Sequence, residues 1–495
     1  MMIQEHPLRI FRHTKSTIWL LIIPVLRGIR SFTLDIDAFY TWITGVWMDI
    51  VVLLVIIGIG YFNWLFTWVR LGRNHIRLMQ GFAVKRTIEI PYKNISAVTA
   101  QHSFYLRPFK AVRVNINTDA GVPGNTDMTI MVHRDDFKLI QKKLPKIRHA
   151  EKKTFKFRPK WYSILFFSFV FSSSLSGALY ISTLIFSAGR IAVDLMREEI
   201  EGVYKAANDV SHNVSENVPV EIPPIVIILI AIVLGTWLLS FLSNVFRYYD
   251  FIMKKDANIM RIVSGAFTKR VFHIMPRKIN YLDLRQSFIT KLFGKCSLNI
   301  NCSGYGKDKN EQPVLLPVLA KNEVNEALEM LGFNKHMVKR AFKPQKSAVM
   351  TYIGTPLIVA GIILAAGLTA YSLLDQLRDI LPFITVFLEV PVCWLTIVKL
   401  RAFFTTGITI EDDFCCIKYS RFYAYHTILA DTSKLVKVQI IQSFIDKKMG
   451  RCRMKFNFSS EKAKSHYIKG IGIKDALKII RQLNIAENSD ILVKK

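Results

Sequence analysis

The sequence predicts a membrane α+β protein. Six transmembrane helices form three hairpins, and each hairpin is followed by a cytoplasmic antiparallel β unit with a C-terminal helix. Three observations lead there. The 495 residues are 51% hydrophobic, with the apolar residues clustered in long runs, yet 21% are charged and the net charge is +30. The charge is unevenly distributed about those runs. One pattern also recurs along the chain: QSFITKLFGKC at Gln286–Cys296 returns as QSFIDKKMGRC at Gln442–Cys452, identical at seven of eleven positions.

Five runs are long enough to cross a bilayer core of about 30 Å as helices of about 20 residues. They are Met48–Val69, Trp161–Phe186, Ile222–Phe246, Ser347–Leu374 and Ile380–Val398. A sixth, Ser16–Leu34, has its apolar heart in Thr17–Leu26, followed by Arg27 and Arg30, and counting it closes the topology. Met1–Lys15 is charged and has no small-residue cleavage site, so no signal peptide is expected. Ser187–Glu221 holds seven acids and three bases, whereas Arg247–Lys346 holds nineteen Lys/Arg against eight Asp/Glu. The positive-inside rule therefore puts the acidic loop outside and both termini in the cytoplasm of a plasma membrane. Within the outer loop, Val203, Ala207 and Val210 continue an apolar stripe at helical spacing, an amphipathic helix.

The repeat is triple. Gly81–Thr118 slides onto Gly265–Cys302 at a constant offset of 184, aligning GFAVKR with GAFTKR and Asn115-Ile116-Asn117 with Asn299-Ile300-Asn301. A third copy keeps Gln442, Ser443, Phe444, Ile445, Gly450, Cys452 and Asn457. Each copy opens on a short proline-bearing lead (HPLRIF, FRPKW, FKPQKS), then two apolar runs, then a polar–apolar stretch. KAVRVNIN, KCSLNIN and RCRMKFNF alternate as half-buried strands, and Phe137, Ile140 and Leu144 mark a closing helix. The expected parts are a lead and hairpin at 1–69, a β unit at 70–150, a second lead and hairpin at 151–246 with its outer loop at 187–221, a β unit at 247–335, a third hairpin at 336–399 and a β unit at 400–495. Within the repeated signature, Phe288 and Phe293 are expected to fill the β unit and Gly294 to permit a tight turn. The repeat reads as a duplicated folding unit, with Gln286 and Gln442 structural.

Two spans followed by a strand-rich unit carrying this Ser-Phe and Leu-Phe-Gly core, closed by a helix, resemble the bacterial pleckstrin-homology-like (PH-like) membrane proteins. The three-repeat arrangement is similar to their YdbT type. The third copy departs where Tyr425-His426 replaces the Lys85-Arg86 and Lys269-Arg270 pairs. The resemblance implies a bent β barrel plugged by a helix. It also implies a smaller two-span YdbS-type companion and a role in envelope homeostasis, including tolerance of membrane-active antimicrobial peptides.

No P-loop, GxSxG elbow, HExxH or EF-hand loop occurs, so the chain is expected not to be an enzyme and to need no cofactor. The six cysteines have no zinc spacing, and neither metal nor disulfide is expected. Asp412-Asp413 reads as a solvated turn. Lys85, Arg86, Lys269 and Arg270 are the expected contacts with anionic headgroups, the partners being membrane lipids rather than nucleic acid. Glu389, between Pro382 and Pro391, lies within a span and needs a partner such as Arg27 or Arg30. These residues also support a rival reading, a transporter or lipid-handling protein. Gly361, Ala365 and Ala366, with Gly367 and Ala370, make a small-residue face for helix packing, within the chain or in self-association. The leading reading is a non-enzymatic membrane scaffold.

Overall fold

The computed structural model describes residues 2–10, 36–81, 85–119, 126–143, 155–172, 197–217, 223–256, 259–302, 314–332, 340–411, 413–460 and 464–483. Copy 1 comprises strand β1 (Met2–Gln4), helix α1 (Ile36–Leu65), β2 (Trp68–Leu71), β3 (His75–Gln80), β4 (Arg86–Pro91), β5 (Ile95–Ser103), β6 (Ala111–Thr118), β7 (Met128–His133) and α2 (Arg134–Lys143). Copy 2 begins with β8 (Phe155–Phe157), α3 (Trp161–Phe171), α4 (Arg197–Asn217) and α5 (Pro224–Tyr248). It continues through β9 (Ile252–Asp256), β10 (Ile259–Ser264), β11 (Thr268–Ile274), β12 (Ile279–Ser287), α6 (Phe288–Leu292), β13 (Lys295–Cys302), β14 (Val314–Ala320) and α7 (Glu323–Met330). Copy 3 has α8 (Val349–Leu373), α9 (Leu381–Thr405), β15 (Gly407–Glu411), β16 (Phe414–Arg421) and β17 (Ala424–Asp431). It ends with β18 (Leu435–Ile441), α10 (Phe444–Lys448), β19 (Arg451–Phe458), β20 (Ser465–Gly472) and α11 (Ile473–Gln482).

Among the described residues, three helices, Pro224–Tyr248, Lys346–Leu373 and Leu381–Thr405, are long and apolar enough to cross a membrane. The expected span Ser16–Leu34 and most of Trp161–Phe186 lie outside the described residues. The expected span Met48–Val69 needs correction at both ends, because α1 runs Ile36–Leu65 and Val69 sits in β2 opposite Ile3. Hydropathy cannot find that boundary, since a span and a buried strand demand the same apolar residues. The amphipathic helix expected within 187–221 is α4, with Ala207 buried. In the third hairpin, α8 and α9 meet at Gly367, where a methyl group would lie 2.5 Å from Thr385 Oγ1. Gly361, Ala365 and Ala366 are exposed on α8, away from that contact.

Among the described residues, four antiparallel sheets hold the strands, in the orders β1-β2-β3-β4, β7-β6-β5-β11-β10-β9-β8, β14-β13-β12-β17-β16-β15 and β18-β19-β20. In every copy the chain within or just before the proline lead joins the edge of the first sheet: β1 on β2, β8 on β9, and Phe342 bridged to Ile408 of β15. In every copy a single 3₁₀ turn (Tyr92–Asn94, Pro276–Lys278, Thr432–Lys434) separates the third strand from the fourth, which then enters another sheet. The freed fourth strand pairs with the third strand of the next copy. Ala100 of β5 faces Val271 of β11, and Leu284 of β12 faces Thr427 of β17.

The chain divides into two compact units, Met1–Lys156 with Ile252–Lys278 and Cys302–Glu311, and Phe157–Phe251 with Ile279–Asn301 and Gln312–Lys495. The border therefore runs through copy 2. The core of the first unit brings Val69, Leu71, Ile76 and Leu78 of one sheet against Val112, Val114, Ile116 and Ile130 of the other, with Phe137 and Ile140 of α2 as the plug. The core of the second repeats this with Ile408, Cys415 and Ile417, then Met454, Phe456 and Ile468, then Ala476 and Ile479 of α11. At about 25 cal/mol per Å² of apolar area removed from water, such interdigitated faces dominate the stability of each unit.

Candidate functional site

The second unit contains a cleft of about 840 Å³ between α8, α9 and the strands β16, β19 and β20. One wall is helical and apolar, with Pro356 and Val359 from α8 and Val392 and Leu395 from α9. The other wall is basic. Lys399 stands near the end of α9, Arg421 ends β16, Arg453 lies on β19, and Lys464 and Lys469 belong to the β20 segment. Among the described residues the lining has five bases and no acid.

Local structure explains how the bases converge. Lys399 lies six residues before the end of α9, about 9 Å along the axis at 1.5 Å per residue. Its ammonium donates to Ser420 Oγ at 3.1 Å, which carries the charge out of the apolar helix toward the strands. Arg453 and Lys469 face each other across β19 and β20 as partners in register. Burial, and then the Arg453 charge, hold the Lys469 amine below the ordinary lysine range. An anion entering the cleft would offset both effects by favouring the charged amine. The Tyr352 hydroxyl donates to Lys469 O at 3.0 Å and fixes that strand against α8.

The hairpin joining β16 to β17 reaches along α9. Arg421 pairs with Ala424, leaving a two-residue loop of Phe422 and Tyr423. Phe422 has a φ of +49°, a conformation that such loops usually give to glycine or asparagine and that costs a side-chain-bearing residue about 1–2 kcal/mol. The Tyr423 hydroxyl donates to Pro391 O at 3.1 Å, anchoring the tip beside the helix, while Phe422 is exposed. An aromatic ring is thus held at the mouth of the apolar wall.

A smaller cleft of about 230 Å³ lies among Gln286, Lys291, Arg340, Lys418, Tyr425 and His426. Burial, helped by Arg401, Lys418 and Arg340, pushes the Lys291 amine down to about 8, and the amine sits 4.4 Å from the centre of the Tyr425 ring. His426 bonds Asp283 at 2.9 Å.

The expected residues fall elsewhere. Lys85 and Arg86 are exposed at the start of β4, an edge strand. Lys269 and Arg270 lie inside the seven-stranded sheet, opposite His102 and Gln101. Glu389 is half-buried on α9 with its Oε1 unpartnered among the described residues, and Arg27 and Arg30 lie outside those residues. Asp412 is also outside them, and no group of three His, Cys, Asp or Glu able to hold a metal occurs among the described residues. The signature residues need a correction. Phe293 is 62% exposed with its ring 5.4 Å from Phe166 of α3, and Phe288 meets Trp394 of α9 at 5.1 Å. They dock on the apolar helices α3 and α9 instead of filling a barrel, because Ser287 caps α6 and turns both rings off the strand. Gln286 and Gln442 each donate Nε2–H to a backbone oxygen nine residues on, Lys295 O at 3.0 Å and Arg451 O at 2.9 Å. The cleft bases escaped sequence reading because they come from four separate segments. The only local hint is Lys399, a base inside a long apolar helix.

Fold and cleft together define a protein in which helices of membrane-crossing length carry PH-like sheets. The chain belongs to the bacterial PH domain family, whose model matches residues 20–146 and 211–332. Copy 3, with the cleft, lies beyond the matched residues. No curated protein matches the chain.

Proposed function

We propose that this protein is a non-enzymatic membrane scaffold of the three-repeat, YdbT-type architecture, whose third copy holds an anionic phospholipid. The observation that carries the reading is the cleft, with five converging bases and no acid at one end and bare apolar helix at the other. A phosphate or carboxylate headgroup matches the basic end, and acyl chains match Val359, Val392 and Leu395. Bases near an anionic leaflet contribute about 1 kcal/mol each. Both termini and the PH-like sheets would lie on the cytoplasmic side of a bacterial plasma membrane. A YdbS-type companion would extend the row of sheets. Cationic membrane-active peptides compete for the same headgroups, so ordering those lipids gives a physical route to peptide tolerance.

Native mass spectrometry of gently extracted protein tests the lipid. Wild type is expected to retain an anionic phospholipid, and a Lys399→Gln/Arg453→Gln variant to lose it. Retention of neutral lipid alone, or equal retention by the variant, would overturn the reading. A second reading, transport, is favoured by Glu389, a carboxylate on an apolar helix without a partner among the described residues. Under that reading Glu389→Gln abolishes transport with assembly intact.

A further inference from the structure

The copies are joined by one rule. The fourth strand of a copy takes the third strand of the next as its antiparallel neighbour, in a fixed register. In the first junction Gln101 faces Arg270 and Ala100 faces Val271. In the second, Arg285 faces His426 and Leu284 faces Thr427. Repeat equivalence maps Gln101 to Arg285 and Arg270 to His426, so the two junctions share one register.

Among the described residues, the fourth strand of copy 3 and the third strand of copy 1 have no such neighbour. Accordingly β18 and β4 are each the edge of their sheets. Both edges are exposed at positions the other copies cover. Val436 on β18 is 71% exposed, whereas its equivalents Ser96 and Asn280 are 0% and 4% exposed. Thr87 on β4 is exposed where its equivalent Val271 is buried. An edge with unpaired N–H and C=O groups is a template for another strand.

We infer that β18 of one chain pairs with β4 of a second copy of the same chain, head to tail, in the register of the internal junctions. This deepens the scaffold reading and rests on it. Extending the rule places Ile441 opposite Arg86, Ile440 opposite Thr87 and Val438 opposite Glu89. The occupant is a second copy because this chain itself carries both halves of a junction that it has already built twice. One bond is forgone: Met275 N–H donates to Ser96 O in the first junction, and the equivalent Pro91 has no N–H. The interface is heterologous, so it generates rings if the rotation closes and rows if it does not.

Directly opposed residues have Cα atoms about 4.5–5.5 Å apart, within disulfide range. Differently tagged Arg86→Cys and Ile441→Cys chains, both in a Cys393→Ser background, are co-expressed and oxidised in membranes. The expected product is a covalent dimer containing both tags, absent when either variant is expressed alone, and much reduced when Gln439→Cys replaces Ile441→Cys. Three results would overturn the inference: self-linking of Ile441→Cys chains, linkage to a different protein in place of the second tag, or no linkage in folded protein. Lipid retention, read on the same preparation, separates failure of this interface from failure of the lipid-binding scaffold.

Discussion

Gln286–Cys296 and Gln442–Cys452 fold alike and meet different fates. In each, a serine Oγ accepts a backbone N–H three residues on, from Thr290 at 3.1 Å and from Asp446 at 3.2 Å. In each, the glutamine clamps the following strand, and a glycine turns the chain at positive φ, +61° at Gly294 and +67° at Gly450. Yet Phe288 rests on Trp394, while its counterpart Phe444 is 74% exposed. β12 lies inside a six-stranded sheet, while β18 is an edge. Hydrogen bonds of short range follow the local sequence. The partners of the Phe288 ring and of the fourth strand follow from a copy's place in the series, because within one chain the following copy supplies them.

The largest expected effect lies in the interiors of the copies. By the chain alignment at the β-unit ends, where Lys321 and Ile473 N–H groups bond Gly294 and Gly450, copy 3 places His466 where copy 2 has Val314. Burial pushes the His466 imidazole down to about 4 from 6.5, and its Nδ1 lies 2.8 Å from the Tyr419 hydroxyl. The unfolded chain binds the proton first, so stability is intact above pH 6.5 and falls as pH drops from 6.5 toward 4. The loss reaches about 3 kcal/mol at 1.36 kcal/mol per unit. Chemical denaturation across this window should show that slope, and His466→Leu should flatten it. An unchanged slope would place the proton uptake elsewhere, for instance on His273, which burial also pushes to about 4.

Next in size is the contrast between the two phenylalanines. Phe288→Ala should cost about 2 kcal/mol, below the 3–5 kcal/mol of a fully buried ring because Phe288 is half-buried. Phe444→Ala should cost less than about 0.5 kcal/mol in the isolated chain. Thermal unfolding in detergent measures both. Equal costs would mean that Phe444 is covered as Phe288 is.

The smallest effect sharpens the comparison by extending it to copy 1. Lys110 occupies the turn position of Gly294 and Gly450, with a φ of +53°. Lys110→Gly should raise stability by about 1 kcal/mol, since a side chain in the left-handed region costs about 1–2 kcal/mol and glycine returns part of that as unfolded-state entropy. Gly294→Ala should act in the opposite direction. Denaturant midpoints at constant slope report both.

Much of this molecule was legible from its residues alone. Alternation exposed β6, β13 and β19, helical spacing exposed α2, and self-similarity exposed copies sharing one order of parts, because local periodicity records which face of an element is apolar. Hydropathy marked α5, α8 and α9, but it overran the end of α1, where Val69 passes into a buried strand. Of the small-residue face it offered, Gly367 makes the contact within the hairpin, while Gly361, Ala365 and Ala366 are exposed. Tertiary structure alone decided that strand four of one copy pairs with strand three of the next, that Phe288 and Phe293 dock on helices, and that Lys399, Arg421, Arg453 and Lys469 converge on one cleft. Each of these joins residues distant along the chain. Such pairings depend on which edges and faces the local elements leave unsatisfied, a quantity that exists only once the elements are packed.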